Sequence, residues 1–177
     1  MPGLKVLLGT STFGVPNTVF GNDENIIQAV KILKTHGIRH LDSAVAYGPS
    51  EAVIGRLGLG ANEDLVIDTK WIGGYSGQPG ATSKDQIKQV TAVSLEKLQV
   101  KKVDVFYMHS PDHQTPVEDA LAGINEAYKS GAFEHLGISN YTAKEVQQTY
   151  DICKSNNYVL PTVYQGNYSA IFRHAHS

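Results

Sequence analysis

The sequence predicts an α/β protein in which about six parallel strands alternate with flanking helices. Short runs of apolar and β-branched residues alternate with longer segments of helical period, which is typical of strands joined by helical crossovers. The chain has 177 residues, of which 41% are hydrophobic and 18% charged, a composition typical of one folded domain. No linker, low-complexity tract or shift of composition divides the sequence. We therefore interpret residues 1–177 as a single domain.

The predicted strands follow one another along the chain, and a helical segment separates each from the next. Because parallel neighbours need a long crossover, this spacing favours parallel pairing over hairpins. The sixth unit is incomplete, since a strand pattern occurs there without a following helix. In order, the predicted strands are Lys5–Gly9, Arg39–Asp42, Leu65–Lys70, Val103–His109, His135–Ser139 and Thr162–Gln165.

Capping boxes mark the start of three predicted helices. In such a box a Ser or Thr side chain accepts from a backbone N–H, and a Glu or Gln three residues later reaches back. Behind each box, apolar residues recur on one helical face and would pack against a sheet. The boxes begin at Ser83, Thr115 and Thr142.

Charge and cysteine content exclude several classes of protein. The sequence holds 15 Lys and Arg against 17 Asp and Glu, a net charge of −2, with no basic patch to bind nucleic acid or an anionic membrane. No apolar run approaches the roughly 18 residues that a membrane span needs. The single cysteine, Cys153, fits a reducing compartment. We expect a cytoplasmic protein with a small-molecule substrate and neither a nucleic-acid nor a membrane partner.

A polar side chain stands at the end of each of five consecutive predicted strands. Such ends open on one face of a parallel α/β protein, where these folds build their sites. Capping of the strand could explain any one of them, but five in succession favour a functional site. An Asp and a Lys brought together there would pair, because either charge alone in a dry strand end costs several kcal/mol. The residues are Asp42, Lys70, His109, Asn140 and Gln165.

An ordered set of motifs at these strand ends resembles the aldo-keto reductases, in a form similar to the aflatoxin-aldehyde reductase branch. The resemblance extends from Leu4 to about Arg173 and implies a (β/α)8 barrel, here an incomplete one of about six strands. The motifs are Gly9–Gly14, Leu41–Gly48, Thr69–Lys70, Tyr107–Asp112, Gly137–Tyr141 and Val163–Tyr168.

The resemblance implies a catalytic tetrad of Asp42, Tyr47, Lys70 and His109. Reduction of a carbonyl needs a proton donor at its oxygen, and a phenol with a pKa near 10 is a weak donor at neutral pH. We expect Lys70, held by Asp42, to lower the pKa of Tyr47. His109 would hydrogen-bond the carbonyl oxygen and position it.

The resemblance also implies NADP(H) as cofactor, with its nicotinamide carboxamide bound by Ser139, Asn140 and Gln165. Four aromatic residues near the same strand ends are candidate substrate contacts and indicate a planar or hydrophobic substrate. One of them, Trp71, is either a substrate-facing wall or a rim aromatic. We assign no metal ligands, because His174 and His176 form a pair without further ligands near the terminus. The four aromatic candidates are Phe13, Trp71, Tyr75 and Tyr141.

The family barrel has eight strands, whereas this sequence ends after the sixth predicted strand. In the family the last two units stack on the nicotinamide and bind the 2′-phosphate. We therefore expect weak or absent NADPH binding by the isolated monomer. We also expect a homodimer in which first or sixth strands cover one another, or in which residues 168–177 fold across the gap.

Three functions stay open at this point. The first is NADPH-dependent reduction of a small carbonyl-containing metabolite with Tyr47 as proton donor. The second is a cofactor-independent acid/base enzyme, such as an isomerase, dehydratase or cyclase, that reuses the tetrad. The third is a non-catalytic partner or remnant, which the complete tetrad disfavours.

Overall fold

The computed structural model describes residues 4–62 and 64–171 and contains one six-stranded parallel sheet in the order β1 to β6. The strands are β1 Leu7–Gly9, β2 His40–Asp42, β3 Val66–Trp71, β4 Val103–Met108, β5 Phe133–Ser139 and β6 Pro161–Gln165. The helices are α1 Asp23–Thr35, α2 Ser50–Arg56, α3 Lys84–Leu98, α4 Val117–Lys129 and α5 Ala143–Ser155. Two short 3-10 helices cover Val45–Tyr47 and Gly73–Ser76. The predicted incomplete barrel, a half-barrel with flanking helices, is confirmed.

The strand boundaries differ from the predicted ones by one to two residues. β1 begins at Leu7 instead of Lys5, because β2 offers it only three paired positions. β4 ends at Met108, although the backbone N–H of His109 still donates to the Trp71 carbonyl at 3.3 Å. His109 therefore lies just past the strand, where its side chain reaches the open end of the sheet.

Of the three predicted capping boxes, only the one at Thr142 forms, with both reciprocal hydrogen bonds present. The side chain of Ser83 makes no capping bond, and the first N–H of α3 donates to Asp119 of α4 at 2.9 Å. Thr115 donates to Asp112 at 2.7 Å and so does not cap α4. Tertiary partners thus replace the local caps at these two helix starts.

The main core lies between the outer face of the sheet and the helices. Trp71 of β3 stacks on Phe106 of β4 with ring centroids 3.8 Å apart, and Phe133 meets both rings edge-on. The Trp71 indole N–H donates to the Thr91 hydroxyl of α3 at 2.9 Å, which satisfies its buried polar atom. The opposite face of β3 and β4 therefore carries the side chains that build the site.

Within the described part of the chain, none of the helices has the length and apolar character needed to cross a membrane.

Candidate active site

The ends of β2, β3 and β4 bring the four implied tetrad residues together. Asp42 is the last residue of β2, and Tyr47 ends the 3-10 helix that follows it. Asp42 pairs in register with Asp68 of β3, so Lys70 lies two residues further along on the same face. His109 directly follows β4. The parallel register alone thus places these groups at one end of the sheet.

Lys70 and Asp42 form a buried ion pair, as the sequence predicted. The Lys70 ammonium donates to Asp42 Oδ1 at 2.5 Å and to the Ser43 carbonyl at 2.8 Å. Lys70 is fully buried and Asp42 is 7% exposed, so water screens the pair very little. Burial lowers the pKa of Lys70, and the Asp42 carboxylate opposes that change. The amide of Gln165 donates to the second Asp42 oxygen at 3.4 Å.

Ser43 was not singled out in the sequence analysis, yet its carbonyl is the second acceptor of the Lys70 ammonium. Its hydroxyl lies 2.8 Å from that of Ser50, which in turn lies 2.7 Å from that of Thr10. All three side chains are buried. The sequence could have indicated Ser43 by its position directly after Asp42, at the end of the strand.

The expected lowering of the Tyr47 pKa is wrong for this structure. Burial raises the pKa of Tyr47 above 10, and the nearby Asp42 carboxylate and Tyr75 raise it further. The Lys70 ammonium lies 5.2 Å from the centroid of the Tyr47 ring, but Asp42 offsets most of its charge. The phenol is therefore protonated at neutral pH, although the raised pKa makes it a weaker proton donor than a free phenol.

His109 is neutral at physiological pH. Burial lowers its pKa to about 4, and the charge of Lys70 acts in the same direction. Its ring meets Tyr47 edge-on at 5.7 Å between centroids and Tyr75 at 4.8 Å. The buried Nδ1 atom finds no hydrogen-bond partner among the described residues. A neutral imidazole in this position can donate one hydrogen bond and accept another.

The three residues assigned to the nicotinamide carboxamide come together at the ends of β5 and β6. Ser139 pairs in register with Gln165, and Asn140 follows Ser139 with a positive φ of 60°. The Asn140 amide nitrogen donates to the His109 carbonyl at 2.9 Å, the Ser139 hydroxyl at 3.0 Å and the Tyr75 hydroxyl at 3.2 Å. These contacts use its N–H groups and leave its oxygen as an acceptor. Donors and acceptors that converge in this way fit a primary carboxamide.

Two of the four aromatic substrate candidates, Trp71 and Phe13, lie buried in the core. Trp71 is 1% exposed and packs in the core on the helix side of the sheet, so neither the wall nor the rim interpretation holds. The reason is strand alternation, since Lys70 points to the site and its neighbour must point away. Phe13 is fully buried and packs edge-on against Phe20 at 5.5 Å between centroids.

Tyr75 lies at the open face, whereas Tyr141 does not. Tyr75 is 57% exposed and its ring covers His109. Tyr141 is buried and lines a cavity of about 300 Å³ with Asp112 and Glu145, between α4 and α5. The structure therefore places Tyr141 in this cavity, and of the four aromatic candidates it brings Tyr75 to His109.

A glycine fixes the segment that carries Tyr75. Gly73 has a φ of 60°, and a Cβ there would lie 2.4 Å from the Ser110 carbonyl. Only glycine allows this close approach of backbone to backbone. The segment forms a short 3-10 helix, Gly73–Ser76, packed on the segment after β4.

Two imidazoles considered in the sequence analysis, His174 and His176, lie outside the described residues, as does most of the terminal segment 168–177.

The fold and the site define a parallel half-barrel with an Asp, Tyr, Lys and His acid/base centre at one end of its strands. The Aldo/keto reductase family model matches residues 5–177, and the chain belongs to that family.

Curated relatives match this chain at moderate identity. Human aldo-keto reductase family 7 member A3 is 42% identical over 142 residues, which is 77% of this chain and 42% of the relative. Rat aflatoxin B1 aldehyde reductase member 2 is 39% identical over 152 residues, 81% of this chain and 40% of the relative. Oxidoreductase sirO of Leptosphaeria maculans is 35% identical over 176 residues, 95% of this chain and 52% of the relative. The chain spans about half the length of these relatives or less.

A solved structure of the thermostable aldo-keto reductase Tm1743 with the inhibitor epalrestat superposes with a TM-score of 0.79. It covers 96% of this chain and 60% of that chain at 24% sequence identity. This likeness supports the fold.

Proposed function

We propose that the chain carries the proton-transfer centre of an NADPH-dependent reductase that acts on a small carbonyl compound, with Tyr47 as the proton donor. The main observation behind this proposal is that a buried ion pair of Lys70 and Asp42 lies beside a protonated Tyr47 and a neutral His109. Relatives named aldehyde reductases agree with a carbonyl substrate.

In this proposal, Tyr47 and His109 have different roles at the carbonyl oxygen of the substrate. Tyr47 donates its proton to that oxygen, and the phenolate that forms is stabilised by the Lys70 ammonium, 5.2 Å from the ring centroid. His109 donates a hydrogen bond to the same oxygen and fixes its position. Tyr75 forms an aromatic wall beside His109, which favours a planar or apolar substituent on the carbonyl.

The cofactor NADPH, when bound, supplies the hydride for the carbonyl carbon. Ser139, Asn140 and Gln165 would hold its carboxamide, since their donors and acceptors converge at the ends of β5 and β6. The contacts proposed here are all to the carboxamide and include no charged group for the 2′-phosphate. Charge-assisted contacts usually supply much of the affinity for a phosphate, so we expect weak NADPH binding by the chain alone.

The test combines a fluorescence titration with NADPH and an aldehyde reduction assay that follows NADPH consumption. Tyr47→Phe should lower kcat by about 10²- to 10⁴-fold, the usual contribution of a proton-transfer group. A rate within threefold of the parent would refute Tyr47 as the donor. Tyr128→Phe, on the outer surface of α4, is the matched control and should leave the rate unchanged.

The NADPH titration also separates this proposal from cofactor-independent chemistry. The chain could instead isomerise or dehydrate a carbonyl substrate without NADPH and with the same dependence on Tyr47. That result would refute the reductase proposal in favour of a cofactor-independent acid/base enzyme. Sub-micromolar NADPH affinity in a monomeric sample would contradict the expectation of weak binding.

We also propose that two copies of the chain associate through sheet edges. In the described part of the chain, β1 and β6 form the ends of the sheet, and Val6, Leu7 and Tyr164 there are exposed. Pairing of such an edge would satisfy backbone groups and bury apolar side chains. Light scattering during size exclusion should give a dimer mass at tens of micromolar, and a stable monomer would refute association.

A further inference from the structure

The ammonium group of Lys70 lies over two phenol rings, and only one of them belongs to the proposed proton donor. Its Nζ atom is 5.2 Å from the ring centroid of Tyr47 and 5.4 Å from that of Tyr107 on β4. Both distances are within the roughly 6 Å at which a cation is attracted to the negative face of an aromatic ring. Tyr107 therefore lies close to the charge that stabilises the Tyr47 phenolate, although the proposed reaction itself does not use it.

Strand register places the Tyr107 ring at this position. Tyr107 is the register partner of Lys70, and side chains of paired residues on neighbouring parallel strands point to the same face of the sheet. On β5 the register partner of Tyr107 is Gly137, where a Cβ would overlap the ring carbons Cδ1 and Cε1 of Tyr107. The ring thus occupies the space that a side chain of residue 137 would fill, and any larger residue there would displace it.

The hydrogen bonds of Lys70 leave one N–H of the ammonium for this contact. An ammonium group has three N–H donors, and Asp42 Oδ1 and the Ser43 carbonyl accept from two of them. Among the described residues, no third acceptor bonds to Nζ. Lys70 is fully buried and Tyr107 is 3% exposed, so little water can solvate the remaining N–H. A negative ring face offsets part of this loss of solvation.

Tyr107 acts on Lys70 through its ring and not as a phenolate. Burial raises the pKa of Tyr107, and nearby carboxylates raise it further, so the phenol is neutral at physiological pH. Burial also lowers the pKa of Lys70, and the carboxylates and ring faces around it oppose that change. The groups that face the ammonium are the carboxylates of Asp42 on β2 and Asp68 on β3, the imidazole of His109 after β4, and the phenols of Tyr47 and Tyr107.

We propose that Tyr107 is a positioning residue of the site, whose ring face holds the Lys70 ammonium in its charged form beside Tyr47. This role rests on the proposed function, because Tyr107 acts through Lys70 on the phenolate that Tyr47 forms. In Tyr107→Leu the ammonium loses one of its two ring faces and keeps its ion pair with Asp42. A residue that only filled the interior of the sheet could be replaced by leucine without effect on Lys70.

The first measurement needs neither substrate nor cofactor. NMR follows the ε-carbon of isotope-labelled lysine against pH, and the Lys70 signal is the one that Lys70→Met lacks. The pKa of Lys70 should be lower in Tyr107→Leu than in the parent, whereas Tyr107→Phe, which keeps the ring, should titrate close to the parent.

A series of fluorinated phenylalanines at position 107 separates the charge of the ring face from its shape. Nonsense suppression introduces phenylalanine with one, two or three ring fluorines, which keep the form of the ring and weaken its negative face stepwise. The pKa of Lys70 should fall in the same order. This series decides the matter if Tyr107→Leu does not fold, which far-UV circular dichroism shows for each variant.

The second measurement is the rate of aldehyde reduction. The kcat of Tyr107→Leu should fall by about 5- to 30-fold, the range that a desolvated cation–π contact supports, with KM for the aldehyde unchanged. Tyr107→Phe should recover most of the rate. Phe106→Leu is the matched control, because it removes a ring from the neighbouring position of β4, which packs on Trp71 on the helix side of the sheet. It should leave both the rate and the Lys70 titration unchanged.

An unchanged Lys70 titration across the fluorinated series would overturn the proposal, and so would an equal loss of kcat in Tyr107→Phe and Tyr107→Leu. A parent protein without reductase activity would refute the proposed function instead. The Lys70 titration would then decide by itself whether the Tyr107 ring holds the ammonium.

Discussion

Replacement of Lys70 by methionine tests the organisation of the whole site. The substitution keeps the length of the side chain and removes the ammonium group. It leaves Asp42 at 7% exposure with one remaining side-chain donor, the amide of Gln165 at 3.4 Å. It also leaves the Ser43 carbonyl without its 2.8 Å donor. Two buried acceptors therefore lose their partner in one substitution.

Removal of one member of a buried ion pair costs about 3–5 kcal/mol, because the other charge stays buried and uncompensated. In a chain of 177 residues, 1 kcal/mol corresponds to a shift of roughly 2–4 °C in melting temperature. We therefore expect the midpoint of Lys70→Met to fall by roughly 6–20 °C. Catalysis should fall as well, because the Tyr47 phenolate would lose its nearest cation.

The assay is urea and thermal unfolding of the parent, Lys70→Met, Asp42→Asn and the double variant. The double variant should recover part of the loss, since it leaves no unpaired charge. Lys102→Met, which breaks an exposed pair with Glu134, is the matched control and should leave the midpoint unchanged. An unchanged midpoint in Lys70→Met, together with additive single variants, would refute the pairing.

Two further predictions concern His109 and Gly73. Because the folded state lowers the pKa of His109 from 6.5 to about 4, the unfolded chain takes up this proton first as the pH falls. The stabilising contribution of neutral His109 should be complete above about pH 6.5 and lost progressively toward pH 4. Urea unfolding midpoints of the parent and of His109→Asn, measured across this pH range, test the expectation. Identical pH profiles of the two proteins would contradict it. Gly73→Ala should displace Tyr75 from His109 and raise KM for an aromatic aldehyde more than for a short aliphatic one, and an equal change for both would argue against Tyr75 as a wall.

The order and direction of the strands were predictable because each depends on local pattern. Apolar runs separated by helical segments predict strands that pair in parallel. Residues at the carboxyl ends of such strands, for example Asp42 and Lys70, then lie at the same end of the sheet. Cap chemistry was less predictable, because it depends on tertiary neighbours. Asp119 accepts a hydrogen bond from the first N–H of α3, and Asp112 accepts one from the Thr115 hydroxyl. Neither contact can be recognised from the residues of the capping box alone.

The pKa of Tyr47 could not be obtained from the residue types alone. A lysine near a phenol lowers its pKa only if the charge of the lysine is uncompensated. Here Asp42 lies 2.5 Å from the ammonium, and burial adds its own preference for the neutral phenol. The sign of the shift therefore depends on distances and exposure, which only the structure supplies.

Alternation along β3 would have corrected the prediction for Trp71. Once Lys70 faces the site, Asp68 must face it too and Trp71 must face the helices. The same rule places His40 with Asp42 on β2. It does not predict that the backbone N–H of Val105 on β4 donates to the Asp68 side chain at 3.0 Å. That contact depends on which side chain of β3 lies opposite β4, so only the register of the two strands reveals it.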